Sequence, residues 1–182
     1  MKVHQGSFES AAEELAEVVE KSVASAVEGQ KRVAVAFSGG LDSSILVVCA
    51  RRYTEVVACS AYSEGAHDDW KAPAAARRIG VEGVATRLTP EMVKMELGEI
   101  GLPFEATLMD RSLWVLYSVV SRSAAGAGAG VILLGQLSDE LFGGYAKYRT
   151  LLERQREGAA EALMRRDVEE YGKRGRVRDY GA

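Results

Sequence analysis

Six consecutive residues combine hydroxyl, glycine and acid in an order that suits an anion: Ser38-Gly39-Gly40-Leu41-Asp42-Ser43. They follow an apolar run of strand type, Val33 to Phe37, and precede a second one, Ile45 to Ala50, that reads as a buried helix. The first N–H groups of a helix have no internal acceptor, and the helix dipole adds about half a positive charge there. Glycines let the backbone approach phosphate oxygens closely. Asp42 is the unexpected member. A carboxylate beside phosphate is repulsive unless a divalent cation lies between them, so the run predicts Mg2+ held by one or two carboxylates and phosphate oxygens. The spacing is neither G-x-x-x-x-G-K-[ST] nor G-x-G-x-x-G. Helix capping by Asp42 or Ser43 would not call for the Ser-Gly-Gly before it.

A second stretch has the same grammar. Leu134-Gly135-Gln136-Leu137-Ser138-Asp139-Glu140-Leu141-Phe142-Gly143-Gly144-Tyr145 again runs from an apolar segment into glycine, hydroxyl and acids. Acids at the opening of a helix favour its dipole, which explains Ser138-Asp139-Glu140 in part. Asp139 is also expected to face Asp42 across the strand ends, so that two carboxylates serve one metal–pyrophosphate unit.

The elements that must carry these loops alternate in type. Ser7 to Glu28 has the apolar spacing of an amphipathic helix, with Ser7 or Ser10 as cap and Gly29 as stop. Strands are expected over Lys31–Phe37, Glu55–Ala61, Val84–Leu88 and Val131–Leu134. Helices are expected over Asp42–Tyr53, over Trp70–Gly80 with a kink or restart at Pro73, from Thr89-Pro90-Glu91 to near Gly98 or Gly101, and over Asp110–Ala125. Tyr62 to Asp69, with Glu64, His67 and Asp68, reads as a loop. Leu102 to Ala106, with Pro103, reads as a connection, and Ala124 to Gly130 as a helix end and tight turn. The alternation implies an α/β fold with a parallel twisted sheet and helices on both faces. Ligands of such sheets sit beyond the carboxyl ends of the strands.

The Ser38–Ser43 motif resembles the PP-loop of the N-type ATP pyrophosphatases. The second stretch is similar to the asparagine synthetase motif Ser-Gly-Glu-Gly-x-Asp-Glu-x-Phe-Gly-Gly-Tyr, which Asp139 to Tyr145 match closely. The resemblance implies an adenine nucleotide alpha hydrolase-like, Rossmann-like domain over residues 1–148, with a helical C-terminal extension over 149–182. It implies ATP and Mg2+ as cofactors and cleavage to AMP and pyrophosphate. A carboxylate would be adenylated, then converted to an amide by ammonia or an amine. It further implies that Ser38, Gly39, Gly40, Leu41 and Ser43 cradle the pyrophosphate and that Asp42 and Asp139 ligate the metal. Backbone at Ala36, Ala61 and Gly135 would line the nucleotide pocket, with Gln136 beside it. Glu140 is expected to brace its helix rather than touch substrate.

The chain departs from the family pattern in three ways. Gln136 stands where the synthetases carry a glutamate near the acceptor, and Leu137 stands where they carry a glycine. The chain ends at Ala182, so neither an N-terminal glutaminase domain nor the later lysine-bearing part is expected; Lys147, Lys173 or a neighbouring subunit would have to supply that lysine. Met164 to Asp167 and Arg176 to Tyr180 echo the family's Arg-x-Asp and Arg-x-Pro-Phe-Leu-Asp segments, or else form a solvated helix. Partners expected on this reading are ATP, a small carboxylate, a second copy of the chain and a separate amidotransferase subunit. A tRNA-modifying PP-loop adenylase and a non-catalytic nucleotide-binding protein are the alternatives.

Composition narrows the class. The 182 residues suit a compact fold, with 47% of them apolar and a formal charge of −3 that gives no general pull toward nucleic acid or membrane. No apolar run reaches the length of a membrane span and no signal peptide is legible, so the cytoplasm is expected. Cys49 and Cys59 lie in apolar runs without a C-x-x-C spacing and read as small buried hydrophobes.

Overall fold

The computed structural model describes residues 6–65, 70–99 and 106–173. His67, Asp68, Pro103 and the Arg176–Tyr180 echo lie outside the described residues. The chain forms two compact units, Met1–Leu134 and Gly135–Ala182. The Ser138–Tyr145 stretch lies within the second of these units.

The first unit is an α/β layer structure. Its elements are α1 (Phe8–Ala26), β1 (Arg32–Ala36), α2 (Leu41–Ala50), β2 (Glu55–Ser63), α3 (Lys71–Ile79), β3 (Glu82–Leu88), α4 (Pro90–Glu99), α5 (Leu108–Gly126) and β4 (Val131–Leu133). The four strands lie in the order β3-β2-β1-β4 and every pairing is parallel. Strand order reverses at β1: the chain steps from β1 through β2 to β3 on one side, then crosses back to place β4 on the other. In such sheets the reversal point is where ligands bind.

Side-chain alternation along β1 sends its residues to two cores. Val33 and Val35, with Phe37 just beyond the strand, pack with Val56 and Ala58 of β2 under Val23 of α1 and its cap residue Val27, Val47 and Ala50 of α2, and Ala76 of α3. Ala34, Val57 and Cys59 face the other way, under Val120 and Ala124 of α5. Helices thus cover both faces, as the sequence pattern implies. Each fully buried valine contributes roughly 1.5–3 kcal/mol relative to exposure. A charge at Val35, which is wholly buried, would therefore break the layer.

Local chemistry sets the helix bounds. Ser7 Oγ caps α1 by accepting from Ser10 N at 3.2 Å. The fifth helix starts earlier than Asp110, because Thr107 is the cap and Asp110 completes a capping box from the third position. Pro73 causes no kink: it sits in the first turn of α3, where its missing N–H is not required. Ala127 and Gly128, at φ +79°, end α5 and turn the chain into β4. Glu96 of α4 is almost wholly buried; its Oε2 accepts from Ser118 Oγ at 2.5 Å and from Arg122 at 3.3 Å, which clamps α4 to α5. Among the described residues no helix is long and apolar enough to cross a membrane.

The second unit is helical: α6 (Ser138–Phe142), α7 (Ala146–Glu153) and α8 (Glu157–Lys173). Tyr148 of α7, fully buried, is its largest enclosed side chain, and Ala160 of α8 is also buried.

Candidate functional site

The loop after β1 is built around backbone freedom. Gly39 has φ +74°, and a Cβ there would stand 3.0 Å from the carbonyl oxygen of Lys71, at the start of α3. Both the conformation and the close approach disfavour any residue with a side chain. Ser38 Oγ accepts from Gly40 N at 3.2 Å and lies 3.2 Å from Ser43 Oγ. Ser43 and Ser44 hydroxyls both donate to the Gly40 carbonyl, at 3.2 and 2.7 Å. These bonds fold the loop onto the first turn of α2.

The opening of α2 differs from those of α1 and α5. The two longer helices carry side-chain caps, on Ser7 and Thr107. Gly40, the cap residue of α2, has no side chain to offer. The N–H groups of Leu41 and Ser43 have no intrahelical acceptor. Leu41 is 75% exposed, so the approach to this turn is not covered by its own side chain. Asp42 is half-buried in the same turn. The arrangement suits an anion at the loop.

Other predicted residues of this unit lie along the same rim. Ala36 ends β1 and pairs with Cys59, and Phe37 N donates to the Cys59 carbonyl at 2.7 Å. Ala61 lies two residues further along β2, on the same side of the strand as Cys59. Burial pushes the Cys59 thiol up to about 11, which agrees with a packing role rather than a nucleophilic one. Cys49 is half-buried.

In the second unit, Gly135 accepts from Ser138 Oγ through its carbonyl at 3.1 Å, and Gln136 and Asp139 are half-buried. Leu137 adopts φ +74°, the left-handed region. Asp139 lies in the first turn of α6, directly over Gly144: a Cβ on Gly144 would overlap Oδ1 of Asp139. The Gly143-Gly144 pair is thus explained at both positions, since Gly143 takes φ +73° to end the helix. Glu140 Oε1 accepts from Tyr145 OH at 3.1 Å, bracing the turn between α6 and α7.

The sequence reading missed the anchor of this unit. Asp167 Oδ2 accepts from Tyr148 OH at 2.7 Å and from Lys147 Nζ at 2.5 Å. The Lys147 ammonium also lies 5.1 and 5.0 Å from the ring centres of Tyr145 and Tyr148. The Arg-x-Asp echo was the one available signal, and its acid serves packing here. The side chain of Lys173 lies outside the described residues.

Among the described residues no three His, Cys, Asp or Glu side chains gather as a metal cage. Mg2+ does not require one: it takes one or two carboxylates and fills its shell with phosphate oxygens and water. Asp42 beside an uncapped glycine turn fits that donor set. So does Asp139, for which Gly144 leaves room.

Comparison with known proteins adds an independent line. A family model described as asparagine synthase matches residues 14–180. The putative asparagine synthetase (glutamine-hydrolyzing) 1 of Methanocaldococcus jannaschii is 29% identical over 163 residues, which cover 89% of this chain and 30% of that protein. Asparagine synthetase (glutamine-hydrolyzing) 1 of Bacillus subtilis is 32% identical over 115 residues, covering 62% of this chain and 18% of that protein. A putative asparagine synthetase (glutamine-hydrolyzing) of Mycobacterium tuberculosis strain H37Rv is 30% identical over 140 residues, covering 75% of this chain and 21% of that protein. The chain thus spans under a third of the length of these relatives.

Proposed function

Because this chain belongs to the asparagine synthase family, we propose that it binds ATP at the Ser38–Ser43 loop and cleaves it to AMP and pyrophosphate while activating a carboxylate. The carboxylate oxygen attacks the α-phosphorus and the pyrophosphate departs. Ammonia or an amine then displaces AMP at the acyl carbon to give an amide. The observation that carries this reading is the opening of α2, which presents Leu41 and Ser43 amides with no side-chain cap after a Gly39-Gly40 turn.

The residues divide the work by type. The Leu41 and Ser43 N–H groups would donate to the leaving pyrophosphate, with Ser38 and Ser43 hydroxyls beside them. Ala36, Ala61 and Gly135 would line the nucleotide with backbone, next to Gln136. Asp42 and Asp139 are the proposed magnesium ligands. Magnesium, when bound, neutralises charge on the pyrophosphate. Donors aimed at developing charge typically contribute about 100-fold or more in rate.

The names of the relatives mark those proteins as glutamine-hydrolysing, which supports ammonia released by an amidotransferase as the nitrogen source. A separate amidotransferase subunit or free ammonia would serve this chain, in the cytoplasm and with a second copy as partner. Gln136, where the family motif has a glutamate, favours a second reading: nucleotide binding without turnover. Incubation with ATP, ammonia and a panel of carboxylates decides between them. AMP and pyrophosphate in equal amounts, dependent on one carboxylate, support the ligase. Saturable ATP binding with no AMP under any acceptor supports the second reading.

A further inference from the structure

A cleft of about 660 Å³ opens at the carboxyl ends of β2 and β3, where α4 begins. Its volume falls in the range of small-molecule sites, about 300–1,000 Å³. One wall is apolar, formed by Leu88, Val93 and Leu97. Three charges stand on the rest of the lining. Arg87 pairs with Glu64 at 3.2 Å, so these two largely cancel. Lys94 has no ion-pair partner among the described residues, which leaves the cleft with one positive charge in excess. Thr89 Oγ1 accepts from Met92 N at 3.3 Å, and its hydroxyl donates to the Glu91 carboxylate at the opening of α4.

We propose that this cleft binds a small monocarboxylate with an apolar body. The carboxylate would meet Lys94 with Arg87 beside it, and the body would cover Leu88, Val93 and Leu97. A single excess charge matches a monoanion better than a phosphate dianion, and the apolar wall rewards a hydrocarbon body that acetate lacks. The site is distinct from the nucleotide loop. Ser63, which pairs with Leu88 at this end of the sheet, lies four residues beyond Cys59, the residue level with Ala36. Four residues of strand span about 13 Å. The cleft is thus set apart along the strand from the Ser38–Ser43 loop, although Ser63 lies only two residues beyond Ala61; the proposal rests on the cleft lining and not on the ATP reading.

The test is titration of the intact chain with 4-methylpentanoate, followed by amide chemical shifts. Saturable shifts are expected at Ser63, Thr89, Val93 and Lys94. Acetate, 4-methylpentanamide and inorganic phosphate should each bind about tenfold more weakly or worse, and Lys94→Gln should weaken 4-methylpentanoate by about tenfold, the weight of one charge-assisted hydrogen bond. Lys94 is exposed, so its replacement leaves the fold intact. The proposal is overturned if the shifts do not saturate, if the amide or phosphate binds as tightly as the carboxylate, or if Lys94→Gln binds 4-methylpentanoate unchanged.

Discussion

Tyr148 donates its hydroxyl hydrogen to Asp167 at 2.7 Å, joining α7 to α8 inside the second unit. Burial pushes the Asp167 carboxyl up, but hydrogen bonds from Lys147 and Tyr148 outweigh it and hold the group below its ordinary value. Burial and the bond to Asp167 push the Tyr148 phenol upward. An acid with a depressed value stabilises above its unfolded pKa of about 3.9, and that contribution fades as pH falls through the folded value. A phenol with a raised value stabilises below about pH 10, and its contribution fades as pH climbs through the folded value. Hydrogen exchange of the α7 and α8 amides should therefore be slowest between about pH 4 and pH 10, after correction for intrinsic rates. Asp167→Asn should remove the acid limb and cost about 1–3 kcal/mol.

Gly144 is predicted to matter through Asp139 alone. Gly144→Ala introduces a Cβ where Oδ1 of Asp139 now sits. The side chain can swing away, so the melting temperature should change by only a few degrees, the shift that about 1 kcal/mol produces. Magnesium-dependent ATP binding should nonetheless fall to the level of Asp139→Asn. Calorimetric titration of both variants checks this, and wild-type affinity in Gly144→Ala would separate the carboxylate's position from binding.

Leu137 holds a left-handed backbone that costs a side-chain-bearing residue roughly 1–2 kcal/mol. Leu137→Gly and Leu137→Ala remove the same leucine contacts, but only glycine relieves the backbone. The glycine variant should be the more stable of the two by about 1 kcal/mol, part of the relief being offset by unfolded-state entropy. Urea unfolding of the pair measures the difference.

Gly39→Ala faces two penalties, a positive φ and a Cβ contact with the Lys71 backbone at 3.0 Å. A loss of roughly 2 kcal/mol is expected, together with weaker ATP binding. Asp42→Asn, by contrast, should keep the fold and lose the magnesium dependence of binding. Parallel melting curves and ATP titrations with and without magnesium distinguish a distorted loop from a missing ligand.

Much of the first unit could be read in advance because its signals are local. Val33 to Phe37 is too apolar for anything but a buried strand, and Ser-Gly-Gly before Asp42 marks the turn. Bounds slipped where a cap lay just outside the obvious pattern, as at Thr107 ahead of Asp110. Long-range pairings left no such trace. Nothing in the sequence pairs Tyr148 with Asp167, nineteen residues on, or brings Gly39 against Lys71. Glu96 reads as one more surface acid of α4, and only the arrival of Ser118 and Arg122 on α5 makes its burial tolerable. Leu137 illustrates the opposite limit: its type argues against the left-handed conformation that the turn imposes on it.

The sheet leaves two margins, and neither invites another strand. On one side β4 is three residues long, too brief a template for stable pairing. On the other, β3 is longer, but Glu82 and Arg87 put opposite charges along it in exposed positions. Charged, irregularly polar margins discourage edge-to-edge growth. Among the described residues, neither margin is therefore a ready template for the backbone of a second copy.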